Sequence, residues 1–117
     1  PLDAASFLPG VAVDDRGRVG VSFLSVRNDP AKAFLADQYF VSSIDGGRTF
    51  RAPTRLTSRS VDLRDAAVAS GQVFVGDYFG LAAGTQFHAV FVVPWQRSVI
   101  HVTRSQPDVL AVGVTVR

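Results

Sequence analysis

Bulky and small residues alternate along much of the chain. In Val19-Gly20-Val21-Ser22-Phe23-Leu24-Ser25-Val26 small residues separate Val19, Val21 and Phe23, and no charge intervenes until Arg27. A period of two sends successive side chains to opposite faces, so this stretch predicts a strand. Leu110, Val112, Val114 and Val116 alternate with Ala111, Gly113 and Thr115, which predicts a strand with one packed face. The run Phe87-His88-Ala89-Val90-Phe91-Val92-Val93 is almost continuously apolar, as in a strand covered on both faces. Further strands are expected at residues 8–13, 37–43, 51–57, 78–83 and 99–104, punctuated by Asp14-Asp15-Arg16-Gly17 and Asp45-Gly46-Gly47. Residues 30–37 have room for a helical turn, and residues 62–69 for a short helix at most. The expected class is all-β.

An internal correspondence suggests an architecture. Leu8-Pro9-Gly10-Val11-Ala12-Val13 lies over Tyr78-Phe79-Gly80-Leu81-Ala82-Ala83, and each is followed by a short turn and a long apolar strand. Each unit then reads as four antiparallel strands. The chain supplies about two propeller blades, one over about 7–57 and one over about 78–117, joined by a polar connection at 58–77. Two blades cannot close a ring, since propellers have about 4–8. The remaining blades are therefore expected in a longer parent chain, or copies of this chain assemble around an axis. The chain opens on Pro1 and not Met, which fits a processed product or a segment of something longer.

One motif is more specific. Ser43-Ile44-Asp45-Gly46-Gly47-Arg48-Thr49-Phe50 follows the pattern S-x-D-x-G-x-T-(F/W). Asp45 can accept hydrogen bonds from the N–H groups of its own turn, the glycines permit positive φ, and Phe50 is expected to tuck beneath as a plug. This stretch resembles the Asp-box, or bacterial neuraminidase repeat, of the sialidase-like propeller superfamily. The resemblance extends over roughly residues 7–93, through the small-residue strand and Asp-Asp-x-Gly turn near the start and through Gly76-Asp77-Tyr78-Phe79-Gly80. It implies a hairpin between the third and fourth strands of a blade, with Ser43, Asp45, Gly47, Thr49 and Phe50 in structural roles. It also implies a glycan-related protein, secreted or at the cell surface, with a glycan ligand.

Charge and composition narrow the chemistry. The cations are eleven Arg and one Lys, and the anions are ten Asp with no Glu. The sialidase machinery implied by the resemblance uses a Tyr nucleophile activated by a Glu, so this chain alone cannot complete it. No catalytic residue is assigned, and the segment is expected to be the C-terminal, structural portion of a glycoside hydrolase-like parent. The alternative is a non-catalytic propeller that binds glycans or proteins. The arginines are spread from Arg16 to Arg117 among aspartates, so no nucleic-acid surface is expected. Cysteine is absent, and no His/Asp cluster has metal-ligand spacing, so neither a metal nor a cofactor is expected. His88 and His101 read as structural. No apolar run reaches the ~20 residues needed to span a bilayer.

Strand alternation points to a candidate binding face opposite the Asp-box. Asn28, Asp29 and Lys32 fall in one loop joining second to third strands, and Trp95, Gln96 and Arg97 in the corresponding loop of the second unit. Asp77 and Tyr78 enter a first strand at the same end. An aromatic ring beside Asp and Arg suits a sugar, so the candidate face comprises Asn28, Asp29, Asp77, Tyr78, Trp95 and Arg97.

Overall fold

The computed structural model describes residues 5–69, 71–74, 79–99 and 102–116. The alternating stretches form strands as their period requires. β1 (Ser6–Val13), β2 (Val19–Ser25), β3 (Leu35–Ser43) and β4 (Thr54–Arg55) lie side by side in chain order as an antiparallel meander. β5 (Val61–Asp62) returns to pair with the start of β3. A 3-10 turn at Leu63–Asp65 leads to a small hairpin of β6 (Ala67–Ala69) and β7 (Gln72–Phe74). The second large sheet has three strands, β8 (Gly80–Ala83), β9 (Phe87–Val99) and β10 (Val102–Val114), in the order β10-β9-β8. The architecture is all-β, and among the described residues no helix is long and apolar enough to cross a membrane.

The second sheet therefore departs from the four strands expected of it. Residues 87–93, 99–104 and 110–116 were to be three strands, but residues 87–99 and 102–114 form two strands of thirteen residues each. Two prolines, Pro94 and Pro107, face each other across the hairpin. Proline is tolerated where its missing N–H would point away from a partner. Among the described residues β8 reaches no further along β9 than Val90, and no strand bonds to the outer edge of β10. The expected short helix over 62–69 is reduced to the 3-10 turn, with β6 following it at once. Residues 30–37 split between a turn, in which Ala33 N–H donates to Asp29 C=O at 2.8 Å, and the start of β3.

The two corresponding stretches do form like hairpins. Val13 pairs with Val19 in one and Ala83 with Phe87 in the other. Their turns meet, Asp15 N–H donating to Gly84 C=O at 3.2 Å. The two sheets pack face to face, with bulky residues of the second resting on small residues of the first. Phe87 is fully buried against Phe40, ring centroids 5.2 Å apart, and Val116 completes the cluster. Gly20 makes this contact possible: a Cβ there would lie 2.5 Å from the Phe87 ring. Burial of such a ring contributes roughly 1.5–3 kcal/mol. Phe91 and Ala89 pack with Val61, and Leu24 and Val26 with Ala36.

Candidate functional site

Two polar anchors occupy opposite ends of the first sheet. At one end β3 runs into the Asp45 turn. Asp45 Oδ1 accepts the N–H groups of Arg48 (3.0 Å) and Thr49 (2.9 Å) and the Ser43 hydroxyl (2.7 Å), and its Oδ2 accepts the Thr49 hydroxyl at 2.5 Å. Ser43 Oγ in turn accepts Gly47 N–H at 2.8 Å. Gly46 and Gly47 have φ of 72° and 87°, as the turn demands. The Thr49 hydroxyl foremost, then Ser43 and the Thr49 N–H, hold the Asp45 carboxyl well below its ordinary pKa. Phe50 corrects the expected plug: its ring lies along the turn beside Gly47 but stays 47% exposed.

The β1–β2 turn shares this end. Asp14 Oδ1 accepts the N–H groups of Arg16 and Arg18, its Oδ2 pairs with the Arg18 guanidinium, and Arg18 reaches on to the Val116 carbonyl. Burial would raise the Asp14 pKa, but the Arg18 and Arg16 N–H groups and the Arg18 guanidinium together lower it.

At the other end Asp37 gathers four side chains from three segments. It is fully buried, on the face of β3 that Tyr39 shares. Its Oδ1 accepts Arg55 Nε (2.9 Å), Arg55 Nη2 (2.7 Å) and the Thr57 hydroxyl (2.7 Å). Its Oδ2 accepts Asn28 Nδ2 at 2.7 Å and the Ser60 hydroxyl at 2.9 Å. Burial alone would raise the Asp37 pKa, but the hydrogen bonds from Thr57, Arg55, Asn28 and Ser60 outweigh it and lower the pKa. Asn28 also donates to the Tyr39 hydroxyl at 2.9 Å. The Arg27 guanidinium lies over the Tyr39 ring, 4.7 Å from its centroid, with Nε buried and lacking a hydrogen-bond partner.

This end is the one where strand alternation placed a binding face. Asn28 and Asp29 both lie in the β2–β3 loop there, with defined tasks. Asn28 braces Asp37, and Asp29 Oδ2 accepts the N–H groups of Phe34 (3.0 Å) and Leu35 (3.2 Å). Trp95 and Arg97 are not in a loop: they stand within β9, paired with Gln106 and Arg104, because the hairpin continues past its prolines. Their side chains, like Asp77 and Tyr78 as a whole, lie outside the described residues. The residues not foreseen are Arg27, Asp37, Tyr39, Arg55, Thr57 and Ser60. One signal was present: Asp37 is a charged residue opening an otherwise uncharged strand, and such a charge requires a partner.

The arrangement has definite chemical limits. Both Asp37 oxygens are occupied, which leaves no free lone pair poised for general-base work. Among the described residues no group of three or more His, Asp, Cys or Glu could hold a metal ion. What the end does present is a rim of half-exposed Arg55 and partly exposed Arg27, beside exposed Asn28 whose amide hydrogens go to Asp37 and Tyr39. Compared with protein families, curated proteins and solved structures, the chain matches none.

Proposed function

We propose that the chain is wall from a sialidase-like Asp-box propeller, a glycan-related protein in which this segment is structural and not catalytic by itself. The observation that carries the reading is the Asp45 turn. Its carboxylate takes both backbone and hydroxyl donors from residues 43–49, and it joins the third and fourth strands of a four-stranded meander. The stacked β8–β9 hairpin, with its small-residue strand and bulky partner, supports the same reading. The absence of Glu from the chain keeps the hydrolytic Tyr–Glu pair out of this segment.

On this reading the glycan side is the donor-rich end opposite the Asp-box. Arg27 and Arg55 offer N–H groups suited to a sugar carboxylate or hydroxyls. The test is ligand-observed NMR of the chain with sialyllactose and a neutral oligosaccharide. Binding of an acidic glycan that Arg55→Gln weakens, with no release of fluorophore from an aryl glycoside, is the expected result. Failure to bind any glycan, together with an unchanged melting temperature in Asp45→Ala, would overturn the reading.

A further inference from the structure

The β2–β3 loop holds the chain's single Asp–Pro bond, Asp29–Pro30. Asp29 is tied down by all three of its polar groups. Its N–H donates to the Val26 carbonyl at 2.9 Å, and its own carbonyl accepts Ala33 N–H at 2.8 Å. Its Oδ2 accepts the N–H groups of Phe34 and Leu35. Carbonyl and carboxylate are thus drawn to three consecutive N–H groups, and they stand side by side.

The rest of the loop keeps that arrangement in place and open to water. The Arg64 guanidinium lies 4.8 Å from the centroid of the Phe34 ring. It is also close enough to Asp29 for their charges to act on each other. Residues 30–35 are exposed. Ala33 has φ of 56°, a left-handed conformation that a residue with a Cβ adopts at a cost. The hydrogen bonds around Ala33, and not its own preference, therefore hold the loop in this shape.

A carboxylate beside its own carbonyl is a nucleophile placed for closure of a five-membered ring. Ala33 N–H already sits on the oxygen that gains negative charge as the carboxylate adds. Proline makes the bond a tertiary amide, whose nitrogen departs as a secondary amine. We propose that Asp29–Pro30 is a self-cleavage site, at which the folded loop assists scission of its own backbone. Oδ1 of Asp29 adds to the Asp29 carbonyl carbon, and hydronium from solvent protonates the Pro30 nitrogen. The C–N bond then breaks, leaving a cyclic aspartic anhydride and a free Pro30 amine. Water opens the anhydride, so the net change is hydrolysis of one peptide bond. The nicked molecule stays together, because β2 remains paired with β3 and Asn28 remains bonded to Asp37 and Tyr39. This inference rests on the chemistry of the loop and not on the glycan reading, and either can fail without the other.

The experiment is intact-mass spectrometry of the 117-residue chain held at about pH 4.5, where the fold keeps its carboxylates charged. The reference is the same chain unfolded in urea at the same pH. The folded chain is expected to yield fragments 1–29 and 30–117, whose masses sum to that of the chain plus one water. It should do so about tenfold faster than the unfolded chain. Gel filtration without denaturant should return the two fragments as one species. Pro30→Ala leaves every bond of Asp29 in place and should stop the cleavage. Asp29→Glu should stop it too, since its carboxylate sits one methylene too far for the five-membered ring. A folded chain that stays intact at this bond, or breaks no faster than the unfolded one, overturns the inference. So does cleavage at an undiminished rate in either variant.

Discussion

Asp45 and Asp37 each hold one end of the same sheet, and they do so by different means. Asp45 takes all its partners from residues 43–49, on a turn open to solvent. Asp37 takes its partners from the β2–β3 loop, from β4 and from the segment after β4, and it is buried. The same carboxylate is thus a local staple in one place and a tertiary lock in the other. Removal of the staple exposes N–H groups that water can satisfy. Removal of the lock leaves a guanidinium, an amide and two hydroxyls converging on a void.

The largest expected effect follows from that difference. Asp37→Ala should lower the unfolding free energy by about 2–4 kcal/mol, read from urea titration, because it strands several buried donors. Asp45→Ala should lower the melting temperature by less. Equal losses in the two variants would break the comparison. Next in size is the coupling between Asp37 and Arg55. A double-mutant cycle with Asp37→Ala and Arg55→Ala should return about 0.5–2 kcal/mol, reduced because Arg55 is 38% exposed and screened. A coupling near zero would shift the weight of the lock to Asn28, Thr57 and Ser60.

Acid should act on both anchors in one direction. Each carboxyl has a folded pKa below its unfolded value. The stability they contribute is therefore full above about pH 4 and is lost as the pH falls through the folded values. Melting temperature should fall below about pH 4, and both Asp37→Asn and Asp45→Asn should flatten that fall. An unchanged acid limb in both variants would show that neither carboxylate is held as described. The smallest effect is reserved for Asp62. It pairs with Arg64 two residues on, at 2.9 Å to Nε, and that pairing foremost pulls its pKa down to about 2. Because Arg64 is largely exposed, Asp62→Asn should barely move the melting temperature at neutral pH.

What could be read from the chain divides along the same line. β1, β2 and β3 were legible because alternation is a property of adjacent residues, and the Asp45 turn because its partners are within six positions. The Asp37 cluster was not, since nothing local says that Asn28, Arg55 and Ser60 converge on one strand. The strand expected at 51–57 is cut to β4, two residues within it, and β5, also of two residues, is too short to show a period. Residues 94–98 read as a loop, because a single sequence does not show that two prolines stand opposite each other within one long hairpin. Phe50 read as a plug because its type is apolar, while its place on an outward turn leaves it in water.

Those paired prolines also bear on how the molecule avoids misassembly. Among the described residues no strand bonds to the outer edge of β10, and a strand of thirteen residues with a bare edge is a template for runaway β-addition. Pro107 removes one donor midway along that edge, so an incoming strand would meet a gap in its ladder. The hairpin can be long without becoming the seed of a fibril.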